Sequence, residues 1–352
     1  MDYNLTKIYK TVYDRKNHEP IPSLAKKYEV VREDYSIFVK KPEEKKYEYI
    51  GDVEVGDLPK VKKVINSGRG KHEVVPYLKT KNYTPETFKN PNSFVGLVDM
   101  LSTEEWTTFI SLDKKPLISQ NKIGNVGKIA SNYNIEYDSV RQLADFQTTD
   151  ASGSNIGPGE ILLSVVFGDV ENSTSGGDLV NSTTGGKIEV KGQGGRFGQQ
   201  GGRSSQGVSF DVLNNQLQQK ITGIEQNMSI PLVMVVFHGS FKKEGKENMF
   251  LPAVKEFFST LYPKADFDSI VTSPAVFGNK TESRRVVEKL YVSNYVSKYD
   301  FEQFLFIDKV DLNYVIFSPA DVLVKGGMID NGKLKINALR FNDPYPTIFY
   351  RF

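Results

Sequence analysis

The sequence predicts a mixed α/β protein, on two observations. From Pro158 onward the chain reads as a helix, two short strands, a helix and an apolar run of strand length, which is the element order of an α/β core. Between 84 and 147, apolar residues recur three and four positions apart, as they do on helices. The expected fold class is therefore α/β in the core and mixed α+β overall.

Length and composition limit the possible architectures. With 352 residues the chain exceeds one typical hydrophobic core, so two or three domains are expected. The 45 Lys and Arg residues nearly balance 43 Asp and Glu, so a nucleic-acid partner would require a local basic surface. The absence of cysteine excludes disulfides, zinc ribbons and thiol nucleophiles. No apolar run approaches a membrane span of roughly 18 residues. We expect no membrane partner and a cytoplasmic or virion location.

Two segments precede the predicted core. Residues 1–83 are rich in Lys, Glu and Tyr and read as an extended charged N-terminal arm. Residues 84–147 read as a small helical domain, in which GKIASNYNIEYDSVRQLADF has the rhythm of a helix-turn-helix with its turn near Asn134. Because Arg141 is the only basic residue of its second helix, we expect these helices to serve packing rather than DNA reading.

The core, residues 157–240, begins with a buried helix over 160–170, since Pro158 is favoured at the first helical position. Short strands at DLV and KIEVKG follow, then a glycine-rich loop over 192–207 and a helix at SFDVLNNQLQQKITGIEQ. The apolar run IPLVMVVFHG, 230–239, is predicted to be a buried strand.

The C-terminal region, residues 248–352, is predicted to be mixed α/β. Two helical patterns, FLPAVKEFFSTLYP and ESRRVVEKLYVSNYVSKY, precede strand-like segments at FEQFLFID, LNYVIFSP and KLKINALRF. The aromatic segment PYPTIFYRF is expected to be buried or docked on a partner. The N- and C-terminal segments could therefore mediate a homo-oligomer or assembly into a larger particle.

Charged side chains cluster on the two short strands. Asp178 begins one strand, and Glu189 and Lys191, two apart on the next, project to the same face. Glu160 could approach them from the first helix. Converging carboxylates suit Mg²⁺ or Mn²⁺, which bind phosphoryl oxygens and activate water. The constellation predicts phosphodiester hydrolysis, with Lys191 polarising the attacking water.

This pattern, an aspartate, ten residues and then Glu-Val-Lys, resembles the PD-(D/E)XK nuclease superfamily over about 157–239. The resemblance implies a restriction-endonuclease-like core, DNA as substrate, Asp178 and Glu189 as metal ligands and Lys191 as the residue assisting water. A glutamate on the first core helix often completes such sites, which assigns that role to Glu160.

The chain departs from the family pattern in two places. Gly177 stands where the motif has proline. Only seven residues separate Val170 from Asp178, so the first strand of the family's helix-strand-strand-strand-helix-strand core must be very short or supplied elsewhere.

The loop after KIEVKG has the composition of a phosphate-binding segment. It contains no acidic residue, and glycine and arginine favour close contacts with phosphate. We therefore predict that Gln193, Arg196 and Arg203 contact nucleic acid. The alternative is a surface hairpin in which Glu189 and Lys191 form an exposed pair worth about 0 to 1 kcal/mol.

A second function remains open on sequence grounds. The charged arm, the glycine-rich loop and the aromatic C-terminal segment are all able to order on partners. Together with the core they resemble certain virion proteins of tailed phages. The chain could thus be a structural or assembly protein that binds DNA or neighbouring subunits through a nuclease-like fold, without turnover.

Overall fold

The protein, in a computed structural model, is mixed α/β. The structure describes residues 12–13, 34–40, 47–54, 74–84, 87–88, 91–111, 116–118, 122–146, 156–174, 177–197, 228–337, 339–340 and 345–352. Contacts divide the chain into two compact units. The first comprises Met1–Gly185 with Lys309–Leu312, and the second comprises Gly186–Asp308 with Asn313–Phe352. The boundary falls inside the segment 157–240.

The first unit opens with an antiparallel three-stranded sheet within the segment 1–83. Its strands are β1 (Val12–Tyr13), β2 (Asp34–Lys40) and β3 (Tyr47–Glu54), in the order β1-β2-β3. The described residues between 74 and 145 form five helices and one short strand: α1 (Val74–Thr80), α2 (Pro91–Met100), α3 (Thr103–Ile110), β4 (Ile123–Asn125), α4 (Val126–Ser131) and α5 (Tyr137–Asp145). The helical pattern predicted for this region is confirmed.

Helices α4 and α5 have the predicted helix-turn-helix spacing. The turn contains Asn134, whose φ of 60° is tolerated by asparagine. Arg141 on α5 donates from one guanidinium nitrogen to the backbone carbonyls of Lys309 and Val310, each at 2.6 Å. The only arginine of the second helix therefore binds the protein's own backbone.

The predicted helix over 160–170 is shorter than expected. Helix α6 spans Pro158–Val166, and strands β5 (Val170–Asn172) and β6 (Leu179–Asn181) then pair antiparallel. The buried ammonium of Lys81 stabilises this transition by donating to the carbonyls of Phe167, Gly168 and Val170, each at 3.0 Å. These bonds satisfy carbonyl groups at the helix end, where intrahelical donors run out. The chain gains β5, a strand that the sequence pattern did not indicate.

The second unit contains a mixed sheet and a separate hairpin. Strand β7 (Lys187–Gly192) pairs parallel with β8 (Gln303–Ile307), which pairs antiparallel with β9 (Asn313–Phe317). Strands β10 (Leu334–Asn337) and β11 (Thr347–Tyr350) form an antiparallel hairpin. The strands predicted in KIEVKG and in the C-terminal region are confirmed.

Within the part of the second unit that the structure describes, five α-helices accompany these strands: α7 (Ile230–Lys243), α8 (Glu247–Leu261), α9 (Phe267–Ile270), α10 (Lys280–Tyr299) and α11 (Pro319–Leu323). The buried strand predicted over 230–239 is wrong, because this segment is the first ten residues of α7. Its buried side chains include Ile230, Met234, Phe237 and Phe241, which have helical spacing. The predicted helix at SFDVLNNQLQQKITGIEQ lies outside the described residues.

Helix α10 runs through the hydrophobic core of the second unit. It buries apolar residues such as Val287, Leu290 and Tyr291, and also polar ones. Buried Ser293 and Asn294 accept hydrogen bonds from the backbone N–H groups of Asp266 and Lys264, both at 2.9 Å. Among the described residues, no helix has the length and apolar character needed to cross a membrane.

Candidate functional site

Strand β7 carries a buried ion pair. The Lys191 ammonium donates to Glu189 Oε1 at 2.5 Å, and the side chains are 12% and 7% exposed. Because the two residues are two apart on one strand, they share a face, as predicted. The alternative of an exposed surface pair is wrong, because both groups are withdrawn from water.

A tyrosine from α10 completes this arrangement. Tyr295 donates its hydroxyl hydrogen to the same Glu189 Oε1 at 2.5 Å, in a buried contact between residues 106 positions apart. The Tyr295 ring packs against Phe197 and Phe301, with centroid distances of 4.6 and 5.8 Å. Strand β7 and helix α10 thus fix the Glu189 carboxylate from two sides.

The other oxygen of Glu189 differs from the first. No described residue donates a hydrogen bond to Oε2, although Glu189 is buried. Burying a carboxylate oxygen without a donor is unfavourable, and a bound cation or water relieves that cost. Glu189 therefore has one oxygen held by the protein and one suited to a ligand.

The first unit holds the other two predicted acids. Glu160, buried in the first turn of α6, accepts a hydrogen bond from the Gly157 N–H at 2.8 Å. Burial raises the pKa of Tyr83 well above its usual value, and the negative charges of Glu160 and Asp178 raise it further. Burial lowers the pKa of Lys309, and the charge of Glu160 opposes that shift. Both carboxylates therefore lie within electrostatic range of one buried tyrosine.

The described part of the glycine-rich loop, residues 192–197, is held by the protein's own backbone. Gly194 N–H donates to the Ile348 carbonyl, and Phe197 N–H to that of Pro346, at 3.0 and 2.9 Å. The Gln193 side chain binds the Tyr350 backbone twice, donating to its carbonyl at 2.5 Å and accepting from its N–H at 3.1 Å. Gln193, which is predicted to contact nucleic acid, and these two N–H groups thus bind the chain at Pro346, Ile348 and Tyr350.

Of the two arginines predicted to contact nucleic acid, the structure describes only Arg196. Arg196 has an exposed side chain, and its backbone forms an isolated antiparallel bridge with Thr347. Arg203 lies outside the described residues.

The predicted acidic residues have the ligand type that a magnesium site requires. Glu160, Asp178 and Glu189 supply carboxylate oxygens, the ligands that Mg²⁺ and Mn²⁺ prefer, and Glu189 has an oxygen without a described donor. Within the described part of the chain, no group of three or more His, Asp and Glu side chains is placed to hold a metal ion. The structure therefore provides donors of the right kind, arranged as one pair of acids in the first unit and Glu189 in the second.

Two tyrosines were missed in the sequence analysis, and the C-terminal segment was predicted to be buried or docked but not to form a strand. Tyr295 and Tyr83 contact or influence the predicted acids, but neither lies in a recognisable motif. The aromatic segment PYPTIFYRF was flagged as buried or docked, and β11 within it docks on the loop after β7. Its aromatic composition was the only signal.

Comparisons of the chain with protein-family models, with curated proteins and with solved structures find no match.

Proposed function

We propose that the protein is a metal-dependent nuclease that hydrolyses DNA phosphodiester bonds. The buried Glu189–Lys191 pair on β7, fixed by Tyr295, is the observation that carries the proposal. A buried ion pair contributes little to stability by itself, because the cost of removing both charges from water offsets much of their Coulombic attraction. Stability alone is therefore a poor explanation for the pair on β7. An enclosed pair of charges held in one geometry by Tyr295 supports a chemical role.

The element order along the chain also supports the proposal. Helix α6 is followed by β5, β6 and β7, and the next described strand, β8, follows the helices α7 to α10 and pairs parallel with β7. The helix and three strands agree with the start of the helix-strand-strand-strand-helix-strand order of the PD-(D/E)XK superfamily that the sequence resembles, whereas four described helices stand where that order has one. Strand β5 supplies the short first strand that the interval between Val170 and Asp178 required.

In this proposal Glu189 would contribute a ligand to Mg²⁺ or Mn²⁺, and the resemblance assigns the same role to Asp178 and, on the first core helix, to Glu160. Such an ion, when bound, neutralises charge on the scissile phosphate and lowers the pKa of a water molecule. Lys191 would orient the attacking water and offset phosphate charge with its ammonium. Tyr295 would fix Glu189 Oε1, which leaves Oε2 for the ligand.

The test is a cleavage assay with matched lysine variants. Purified protein is incubated with supercoiled and linear DNA in Mg²⁺ or Mn²⁺, beside Asp178→Asn, Lys191→Met and Lys187→Met. Lys187 is the control because it lies on the same strand and pairs with the exposed Asp300. We expect metal-dependent cleavage to fall at least about 100-fold in the first two variants and to persist in the third.

Circular dichroism must first show that all three variants are folded. No cleavage of any DNA form by the wild-type protein, together with no Mn²⁺ binding by calorimetry, would contradict the nuclease proposal. That result would favour the structural or assembly role for the same fold.

A further inference from the structure

The β10–β11 hairpin has one exposed face with a distinctive composition. Leu334, Ile336, Ile348 and Tyr350 are buried, and the residues alternating with them point to the opposite face. On that face Phe349 is 39% exposed and lies directly opposite Lys335 in the strand register. A large aromatic ring at the centre of a solvent-facing strand pair is available for contact with a ligand.

The exposed face continues onto the loop that follows β7. The Ile348 N–H donates to the Gly195 carbonyl at 3.0 Å, and Arg196 bridges Thr347. Paired residues of an antiparallel bridge project to the same side, so Arg196 lies beside the face that carries Phe349. A Cβ at Gly194 would lie 3.5 Å from the Phe349 ring, so the loop passes close beneath it.

We define the basic face as Arg196, Lys333, Lys335, Phe349 and Arg351, all of which are exposed. The described segments that form it, 192–197, 333–337 and 345–352, contain no Asp or Glu. None of the four cations forms a direct ion pair with a described carboxylate, and the buried carboxylate of Glu288 lies within electrostatic range of Lys335.

The basic face therefore places four exposed cations on segments without an acidic residue, in a chain whose formal net charge is only +2.

We propose that the basic face binds a single strand of nucleic acid. Phosphates would contact Arg196, Lys335 and Arg351, and one base would stack on Phe349. Positive grooves with exposed aromatic rings are typical of single-strand binding, because an unpaired base can offer its flat face to a ring. A duplex keeps its bases stacked inside the helix. The choice of nucleic acid as the ligand rests on the nuclease function proposed above.

Because β7 leads directly into the loop that carries Arg196, a strand on the basic face would pass the end of the strand that bears Glu189 and Lys191. The basic face would thereby deliver an unpaired segment to the proposed chemistry.

The test measures binding without metal. Fluorescence anisotropy of labelled 15-residue oligothymidylate and oligouridylate is recorded in EDTA, with a 15-base-pair duplex as a third ligand. The variants are Phe349→Thr, which keeps a β-branched residue in the strand, and the double variant Lys335→Gln with Arg351→Gln. The matched control is Lys242→Gln with Lys243→Gln, which also removes two exposed positive charges.

The control charges lie at the C-terminal end of α7, whose N-terminal residue Ile230 binds the Leu339 carbonyl near the hairpin. The rise of the helix places them about 20 Å along α7 from that point. Loss of net charge is thus the same in the two double variants, and only its location differs.

We expect Phe349→Thr to weaken single-strand binding at least about fivefold, the lower range for loss of one stacked base. The Lys335→Gln and Arg351→Gln variant should weaken binding and reduce the slope of log affinity against log salt by about 1.4, for two lost phosphate contacts. The α7 control should change neither quantity. A preference between the two oligonucleotides would distinguish DNA from RNA as the source of the strand.

Several outcomes would overturn the inference. They are no binding by the wild-type protein, equal losses in the hairpin and control variants, or tighter binding of the duplex than of either single strand. Binding that depends on the hairpin, with no cleavage in Mg²⁺ or Mn²⁺, would support the basic face and contradict the nuclease proposal. Cleavage of DNA, with no effect of the hairpin variants on binding, would support the nuclease proposal and contradict the basic face.

Discussion

Tyr295→Phe should destabilise the second unit by removing one oxygen atom. The hydroxyl donates to buried Glu189 at 2.5 Å, whereas the ring contacts with Phe197 and Phe301 do not require it. A hydrogen bond to a charged group contributes about 1.5 to 3 kcal/mol to stability. The unfolding equilibrium constant should therefore rise about 10- to 150-fold.

Tyr299→Phe is the matched control for this experiment. Tyr299 lies one turn further along α10, and its hydroxyl makes no hydrogen bond with a described residue. We expect its removal to change the free energy of unfolding by less than about 0.5 kcal/mol.

The measurement is urea unfolding followed by far-ultraviolet circular dichroism, with linear extrapolation to water. Because the chain has two units, amide hydrogen exchange in β7 and α10 would assign the transition of the second unit. Equal stability losses in Tyr295→Phe and Tyr299→Phe would refute the argument that Tyr295 holds the Glu189 carboxylate.

Three further predictions concern charge and packing. Lys191→Met should lower the free energy of unfolding by about 3 to 5 kcal/mol, because it leaves a buried carboxylate without its cation; combining it with Glu189→Gln should restore part of the loss in urea unfolding. Burial lowers the pKa of Lys81 from 10.5 to about 8. Between pH 8 and 10.5 the unfolded chain carries a proton on Lys81 that the folded chain lacks. The free energy of unfolding should therefore rise with pH by about 3 kcal/mol relative to that of Lys81→Met. A difference between the two proteins that does not change with pH would contradict this. Gly195→Ala should destabilise by about 1 to 3 kcal/mol, because its Cβ would lie 2.8 Å from a backbone carbonyl oxygen. Gly239 lies inside α7, and a Cβ there would have no atom within 4 Å, so Gly239→Ala should stabilise the protein by about 0.5 to 1 kcal/mol. Thermal melts of both variants are the measurement, and a melting temperature no higher for Gly239→Ala than for Gly195→Ala would contradict this prediction.

Local patterns predicted the parts of the fold that depend on local physics. Helix α3 begins where Ser102 and Glu105 form a reciprocal cap, with Glu105 N–H donating to Ser102 Oγ at 3.1 Å and Ser102 N–H to Glu105 Oε2 at 2.6 Å. Glu189 and Lys191 share a face because side chains alternate along any strand. Both features can be read within a few residues of sequence.

The segment 230–239 shows how a local pattern misleads. Its unbroken apolar run suits a buried strand, but the amphipathic pattern continues to Lys243, and 14 residues is too long for a typical strand. Pro231 at the start is also a signal for a helix. The length of the amphipathic pattern is therefore a better guide to the structure of this segment than its apolar composition.

Distant contacts account for the rest of what was missed. No pattern near Phe167 indicates that Lys81 will bind its carbonyl, and none near Glu189 indicates Tyr295. Nor does the loop sequence reveal that Gly194 and Gln193 will bind β11 rather than phosphate. Such contacts depend on tertiary packing between segments far apart in sequence.

The 106 positions between Glu189 and Tyr295 have a consequence for how the second unit folds. Helix α10 forms from local contacts, whereas its contact with β7 requires closure of a long loop and parallel pairing of β7 with β8, both of which are slow steps. Pulse-labelling hydrogen exchange during refolding should show α10 protected before β7. Incompletely folded chains would then be helical yet lack the ordered contact of Glu189 with Tyr295, and the Glu189 carboxylate would be enclosed only after the unit's long-range order is complete.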